Sequence, residues 1–211
     1  STTVSEQDGR VRIANELVQF EFSLQDQGAL VSIVDLVTGA ELIRDDEAPR
    51  LLWSLTAVST EGPRMHRMNS RGAGRTRWSS HRGDGETTLE LICPGLPFGV
   101  REVSVFVTLS DESPLTRWRM AVRRVEGGFA VTEMICPVLC GLVRLGAPAP
   151  GETLLAPVQG EAYLYRDPFA VRDGLPLCAG AGPESADVGI GSVGGRYPGA
   201  IGLQMMALYG E

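Results

Sequence analysis

The residues able to do chemistry fall into a few groups. Carboxylates come first, because glycoside hydrolysis needs two of them, an acid to protonate the leaving oxygen and a nucleophile or base. The candidates are Asp45 with Asp46, Asp111 with Glu112, Glu133, and Asp167 with Asp173. The first two pairs stand in turn-like stretches, where acids are ordinary. Glu133 interrupts an apolar run and is the most unusual of the set, although an outward-facing glutamate on a strand would also account for it.

The stretch from Arg64 to Arg82 is the second group. It holds six arginines, Trp78, both histidines (His66 and His81) and no acid. Cations interleaved with an aromatic can meet phosphates or single-stranded bases, an acidic sugar, or an acidic neighbouring domain. The plainer reading is a solvated loop over 64–74 running into a strand whose Arg75 and Arg77 point outward. Arginine forks suit carboxylate partners, and aromatic rings stack on sugar faces. Arg75, Arg77, Trp78, Arg166, Asp167, Arg196 and Tyr197 are therefore the expected contacts to a substrate or a neighbouring domain. The two histidines read as surface residues. No Ser-His-Asp order or nucleophile elbow occurs, so no catalytic residue is assigned within the chain.

Cys93, Cys136, Cys140 and Cys178 form no C-x-x-C pair, and neither histidine lies at zinc-ligand spacing from them. They read as buried apolar thiols, with a disulfide open to them if the protein is exported. No metal or cofactor is expected. Gly189 to Gly194 matches G-x-G-x-x-G, but that fingerprint requires a following helix, and Gly195-Arg196-Tyr197-Pro198-Gly199 forbids one.

Composition bounds the partners. The 211 residues carry a net charge of −7, which opposes general nucleic-acid binding. All 19 basic residues are arginine, a bias that a GC-rich genome produces without any selection for guanidinium chemistry. No run of about 18 apolar residues is present, so no membrane span is expected. Ser1 to Gly9 is polar and shows no signal peptide, which leans slightly towards the cytoplasm.

These residues must be held by strands. Val18-Gln19-Phe20-Glu21-Phe22 alternates with period two, placing Val18, Phe20 and Phe22 on one face. Strands are predicted over 10–15, 17–24, 30–36, 51–58, 75–80, 87–93, 100–109, 115–125 and 200–209. Asp26-Gln27-Gly28 and Thr38-Gly39 supply turns. The odd positions from Val103 to Leu109 should face inward, with Arg117 and Arg119 outward on an antiparallel neighbour joined through Asp111-Glu112-Ser113-Pro114. No stretch shows a helical stripe. The 26 glycines and 13 prolines punctuate short strands, as a sandwich requires.

A family resemblance joins these segments. Asn15 to Phe22, the Gly28 turn, Leu30 to Asp35 and Thr38 to Leu42 resemble the opening of galactose-mutarotase-like β-sandwiches, which begin many glycoside hydrolases and polysaccharide lyases. Ile135 to Leu142, Leu154 to Gly160, Tyr197-Pro198-Gly199 and Leu203 to Tyr209 resemble later strands of one poorly characterised group of glycoside hydrolases. The resemblance implies an all-β, antiparallel two-sheet supersandwich, with 1–211 a single N-terminal domain of a longer enzyme. It further implies that the catalytic carboxylates lie on a (β/α)₈ barrel outside this chain. The partners would then be a carbohydrate and the catalytic domain of the same polypeptide. True aldose mutarotases use a histidine and a glutamate within the sandwich, and no position here matches their histidine motif. A free-standing mutarotase or epimerase, built on Glu133 with His66 or His81, is the alternative, as is a glycan-binding module without chemistry.

Overall fold

The computed structural model describes residues 1–43, 50–62, 64–142 and five later strands, 153–158, 161–166, 177–179, 192–193 and 207–209. It is all-β: the described residues contain no α-helix, only one 3₁₀ turn at Ser70–Gly72. The chain divides into two compact units, Ser1–Glu41 with Arg50–Val138, and Leu42–Pro49 with Leu139–Glu211.

In the first unit β1 (Thr3–Gln7), β2 (Arg10–Ala14), β3 (Val18–Ser23) and β4 (Ala29–Asp35) form an antiparallel sheet in that order. A second sheet runs β10-β9-β8-β7, built from β7 (Arg77–Gly83), β8 (Glu86–Pro94), β9 (Val100–Ser110) and β10 (Thr116–Val125). A third runs β11-β5-β6, from β5 (Ser54–Ser59), β6 (Met65–Asn69) and β11 (Phe129–Ile135). Tight turns set two of the registers. Asp8-Gly9 joins β1 to β2 and Asp84-Gly85 joins β7 to β8, with both residues of each pair at positive φ (52° and 74°, 49° and 74°). That is the mirror-image turn whose twist matches a hairpin, and Asp-Gly is its sequence signature.

The alternation predicted for the strands appears as burial. Val103, Val105, Val107 and Leu109 of β9 are wholly buried, as are Leu89, Leu91 and Cys93 of β8. Arg117 and Arg119 of β10 are exposed. Phe20 and Phe22 of β3 meet Trp118 of β10 at centroid distances of 6.4 and 5.9 Å. The first two sheets therefore pack face to face, an arrangement consistent with a β-sandwich. Each such ring contributes about 1.5–3 kcal/mol by leaving water. Beneath them the Trp53 indole donates to the Cys93 sulfur at 3.4 Å, and burial raises the Cys93 thiol pKa. Burial, helped by the nearby Cys93, pushes Cys136 up to about 12. Cys93 and Cys136 are free thiols.

Three sequence expectations need correction. The stretch 64–74, read as a solvated loop, contains β6. Its Met68 is buried beside Leu55, because a strand of mixed polarity can still pair along β5. The strand expected from residue 75 begins at Arg77. The run 51–58 enters as buried coil at Leu51, Leu52 and Trp53 and becomes a strand only from Ser54.

In the second unit β12 (Leu139–Leu142), β15 (Leu177–Ala179) and β16 (Ser192–Val193) form one small sheet. In another, β13 (Thr153–Val158) lies between β14 (Glu161–Arg166) and β17 (Ala207–Tyr209). Of the strand expected over 200–209, only β17 lies within the described residues.

Candidate functional site

A cavity of about 440 Å³ opens on the first unit, lined by Glu6, Gly9, Leu24, Gln25, Gln27, Ala73, Gly74 and Arg75. Three connections build it. The β1–β2 turn brings Gly9, whose carbonyl receives the Leu24 N–H at 2.9 Å. That bond lays the β3–β4 turn against the hairpin. Within this second turn Gly28 N–H reaches Ser23 at 2.8 Å and Ala29 N–H reaches Asp26 at 3.1 Å. Gly28 sits at φ +80°, and a Cβ there would lie only 3.4 Å from Thr76. The turn is thus seated on the segment leading into β7. From below, the buried Cys93 thiol lies 3.9 Å from the Gln27 carbonyl and 3.7 Å from the Thr76 hydroxyl. The third connection, Ala73 to Arg75, is anchored where Gly74 N–H meets the Pro94 carbonyl at 2.7 Å.

The polar groups of this wall are varied. Glu6 accepts the Trp78 indole N–H at 2.6 Å. The Gln27 amide donates to the Gln25 carbonyl at 3.3 Å. Arg75 is exposed and makes no ion pair among the described residues. Guanidinium, carboxylate and two carboxamides around one hollow can exchange hydrogen bonds with a hydroxyl-rich ligand.

The contacts expected from sequence divide here. Arg75 lines the cavity, and Trp78 is tied to it through Glu6. The Trp78 indole N–H is already engaged, because it joins edge strand β7 to edge strand β1. Arg82 continues this seam, donating to the Thr2 carbonyl at 2.9 Å and to Asp111 at 2.6 Å. Asp111 also takes the Thr2 N–H at 2.6 Å. That N–H first, then Arg82, hold the Asp111 carboxyl down at about 2. Arg77 lies on the opposite face of β7 and pairs with Glu102 at 3.7 Å. Arg166 ends β14, while Asp167, Arg196 and Tyr197 lie outside the described residues, as do most of the glycine fingerprint and the pairs Asp45–Asp46 and Asp167–Asp173. Glu6, Gln25 and Gln27 were not foreseen. The Asp8-Gly9 signature could have placed Glu6 beside the hairpin, but only folding sets it against Arg75.

No family model and no characterised protein matches this sequence. The site must therefore be judged on its chemistry.

Arg77 belongs to the outer face of the β10-β9-β8-β7 sheet, which is laced with ion pairs. Arg117 meets Glu86, Arg123 meets Glu90 at 3.2 Å, and Arg119 stacks 3.9 Å over the Phe106 ring. The Arg117 contact lowers the Glu86 pKa. The first sheet carries a similar group, in which Glu21 binds Arg10 at 2.7 Å and Arg12 at 3.1 Å. Burial pushes the Glu21 carboxyl up, but these two arginines outweigh it and hold it below its ordinary value.

An epimerase pair is not assembled from the residues considered for it. Glu133 accepts the Thr56 hydroxyl at 3.1 Å, and Thr56 pairs with Arg67, so Glu133 shares their face of the sheet. His66 pairs with Ala57 and projects from the other face, stacked on Phe98 at 4.1 Å. His81 stands on β7, in a different sheet. Among the described residues no three His, Cys, Asp or Glu side chains are grouped to hold a metal ion, and no helix is long and apolar enough to cross a membrane.

Proposed function

We propose that this chain is an accessory β-domain of a carbohydrate-active enzyme, on a galactose-mutarotase-like supersandwich, and that it supplies a sugar contact and not bond cleavage. The observation that carries this reading is the cavity itself. It gathers Glu6 from strand β1, Gln25 and Gln27 from the β3–β4 turn and Arg75 from the segment before β7, within the size range of small-ligand sites. Hydrolysis would need a second carboxylate facing the first across the bond to be cut. Glu6 is the one carboxylate among the described residues of the lining, and it is already engaged by an indole N–H. The bond-breaking groups are then assigned to a catalytic domain of the same polypeptide.

The test is a glycan array probed with the labelled 211-residue chain, alongside an aryl-glycoside hydrolysis assay. Retention on at least one class of glycan, lost in Arg75→Ala, with no hydrolysis, is the expected result. A blank array would overturn the sugar contact. Hydrolysis by the purified chain would overturn the accessory role.

A further inference from the structure

Resting on that reading, we infer that the cavity takes a neutral sugar residue through a free vicinal diol, and discriminates against uronic acids. Among the described residues the lining carries one formal negative group, Glu6, and one positive group, Arg75. A neutral ligand leaves that balance untouched. A uronate would gain Arg75 but would bring a second carboxylate into the hollow that already holds Glu6, and like charges at close range oppose each other.

Hydrogen-bond inventory points the same way. Arg75 offers donors only, and among the described residues it has no partner. Glu6 offers acceptors only; one oxygen holds Trp78 at 2.6 Å and the other is left for a ligand. Gln25 and Gln27 each offer both kinds. A hydroxyl donates and accepts at once, so two adjacent hydroxyls can accept from the guanidinium fork while donating to Glu6. A uronate carboxylate held by the Arg75 guanidinium can only accept and offers no hydrogen to the second Glu6 oxygen.

Elsewhere in the unit Arg10, Arg12, Arg77, Arg82, Arg101, Arg117 and Arg123 each face a carboxylate. Arg64, Arg71, Arg119 and Arg124, like Arg75, have no ion pair among the described residues, and of these five only Arg75 is among the described residues that line the cavity. At Gly9 a Cβ would come within 3.3 Å of the Gln25 amide, so the absence of a side chain there lets Gln25 keep its place in the cavity wall.

The experiment titrates the 211-residue chain by calorimetry. The probes are neutral hexasaccharides of glucose, xylose, mannose and galactose, and hexagalacturonate of matched length. At least one neutral probe should bind saturably and more tightly than hexagalacturonate. Arg75→Ala should weaken it about tenfold, the size of one lost charged hydrogen bond. Glu6→Gln keeps an acceptor for Trp78, so the fold is retained. By removing the negative charge it should narrow the preference against hexagalacturonate. Tighter binding of hexagalacturonate than of every neutral probe would overturn this inference and leave the sugar contact standing. Binding of neither class would remove the sugar contact and this inference together.

Discussion

Ser104 lies at the centre of β9, paired with Ala121 on one side and Ile92 on the other. It is wholly buried, and its hydroxyl has no hydrogen-bond partner among the described residues. A buried hydroxyl without a partner costs about 1–3 kcal/mol in lost hydration. Ser104→Ala removes that cost and gives up only the packing of one oxygen. A net stabilisation of about 1 kcal/mol is expected, which for a chain of this size corresponds to about 2–4 °C in melting temperature. Urea unfolding followed by tryptophan emission suits the measurement, because Trp53, Trp78 and Trp118 all lie in the first unit. With a slope of about 2 kcal/mol per molar, the midpoint should rise by about 0.5 M. A midpoint lowered by the same amount would refute the reasoning, for it would mean that the hydroxyl has a partner in solution whose loss costs more than its burial.

Asp111 supplies a pH test. Its carboxyl is held at about 2 in the fold and has a value of about 3.9 when unfolded. The unfolded chain therefore binds the proton first, so the contribution of this group is present above about pH 4 and is lost as pH falls towards 2. Urea midpoints measured between those limits should fall less steeply in Asp111→Asn than in the parent; parallel curves would show that the Thr2–Asp111–Arg82 seam is absent. Phe22→Ala deletes a wholly buried ring beside Trp118 and should cost about 3–5 kcal/mol by the same unfolding assay. Gly99→Ala should cost about 1–3 kcal/mol, because the residue sits at φ +74° and its Cβ would fall 2.2 Å from Phe129. Adding Phe129→Ala should restore part of that loss, and no restoration would argue against the clash.

Much of the strand content was legible because sheets with one buried face stamp a period of two on the chain. Val103 to Leu109 and Val18 to Phe22 reveal their inner faces by alternation alone, and both faces hold. Glycine turns were legible for a similar local reason, since Gly28 and Gly39 occupy positive φ that other residues resist. β1 and β6 were harder to see. Thr3 to Gln7 is almost wholly polar, and Met65 to Asn69 mixes cations with methionines. Edge strands need only a partner's backbone, so their side chains carry little signal.

The site divides along the same line. Arg75 stands out in the sequence because it belongs to the arginine-rich, acid-free run from Arg64 to Arg82 that also holds Trp78. The grouping around the cavity cannot be read that way, because Glu6 on β1, Gln25 in the β3–β4 turn and Arg75 before β7 are far apart in sequence. What brings them together is the seating of Gly28 on Thr76, the Cys93 thiol under Gln27 and the Trp78–Glu6 bond between two edge strands. The sequence by itself determined an all-β chain of short antiparallel strands, because backbone periodicity and turn chemistry are local. Which arginines are matched by carboxylates, and which one is left facing a cavity, was decided only by the packing of one sheet on another.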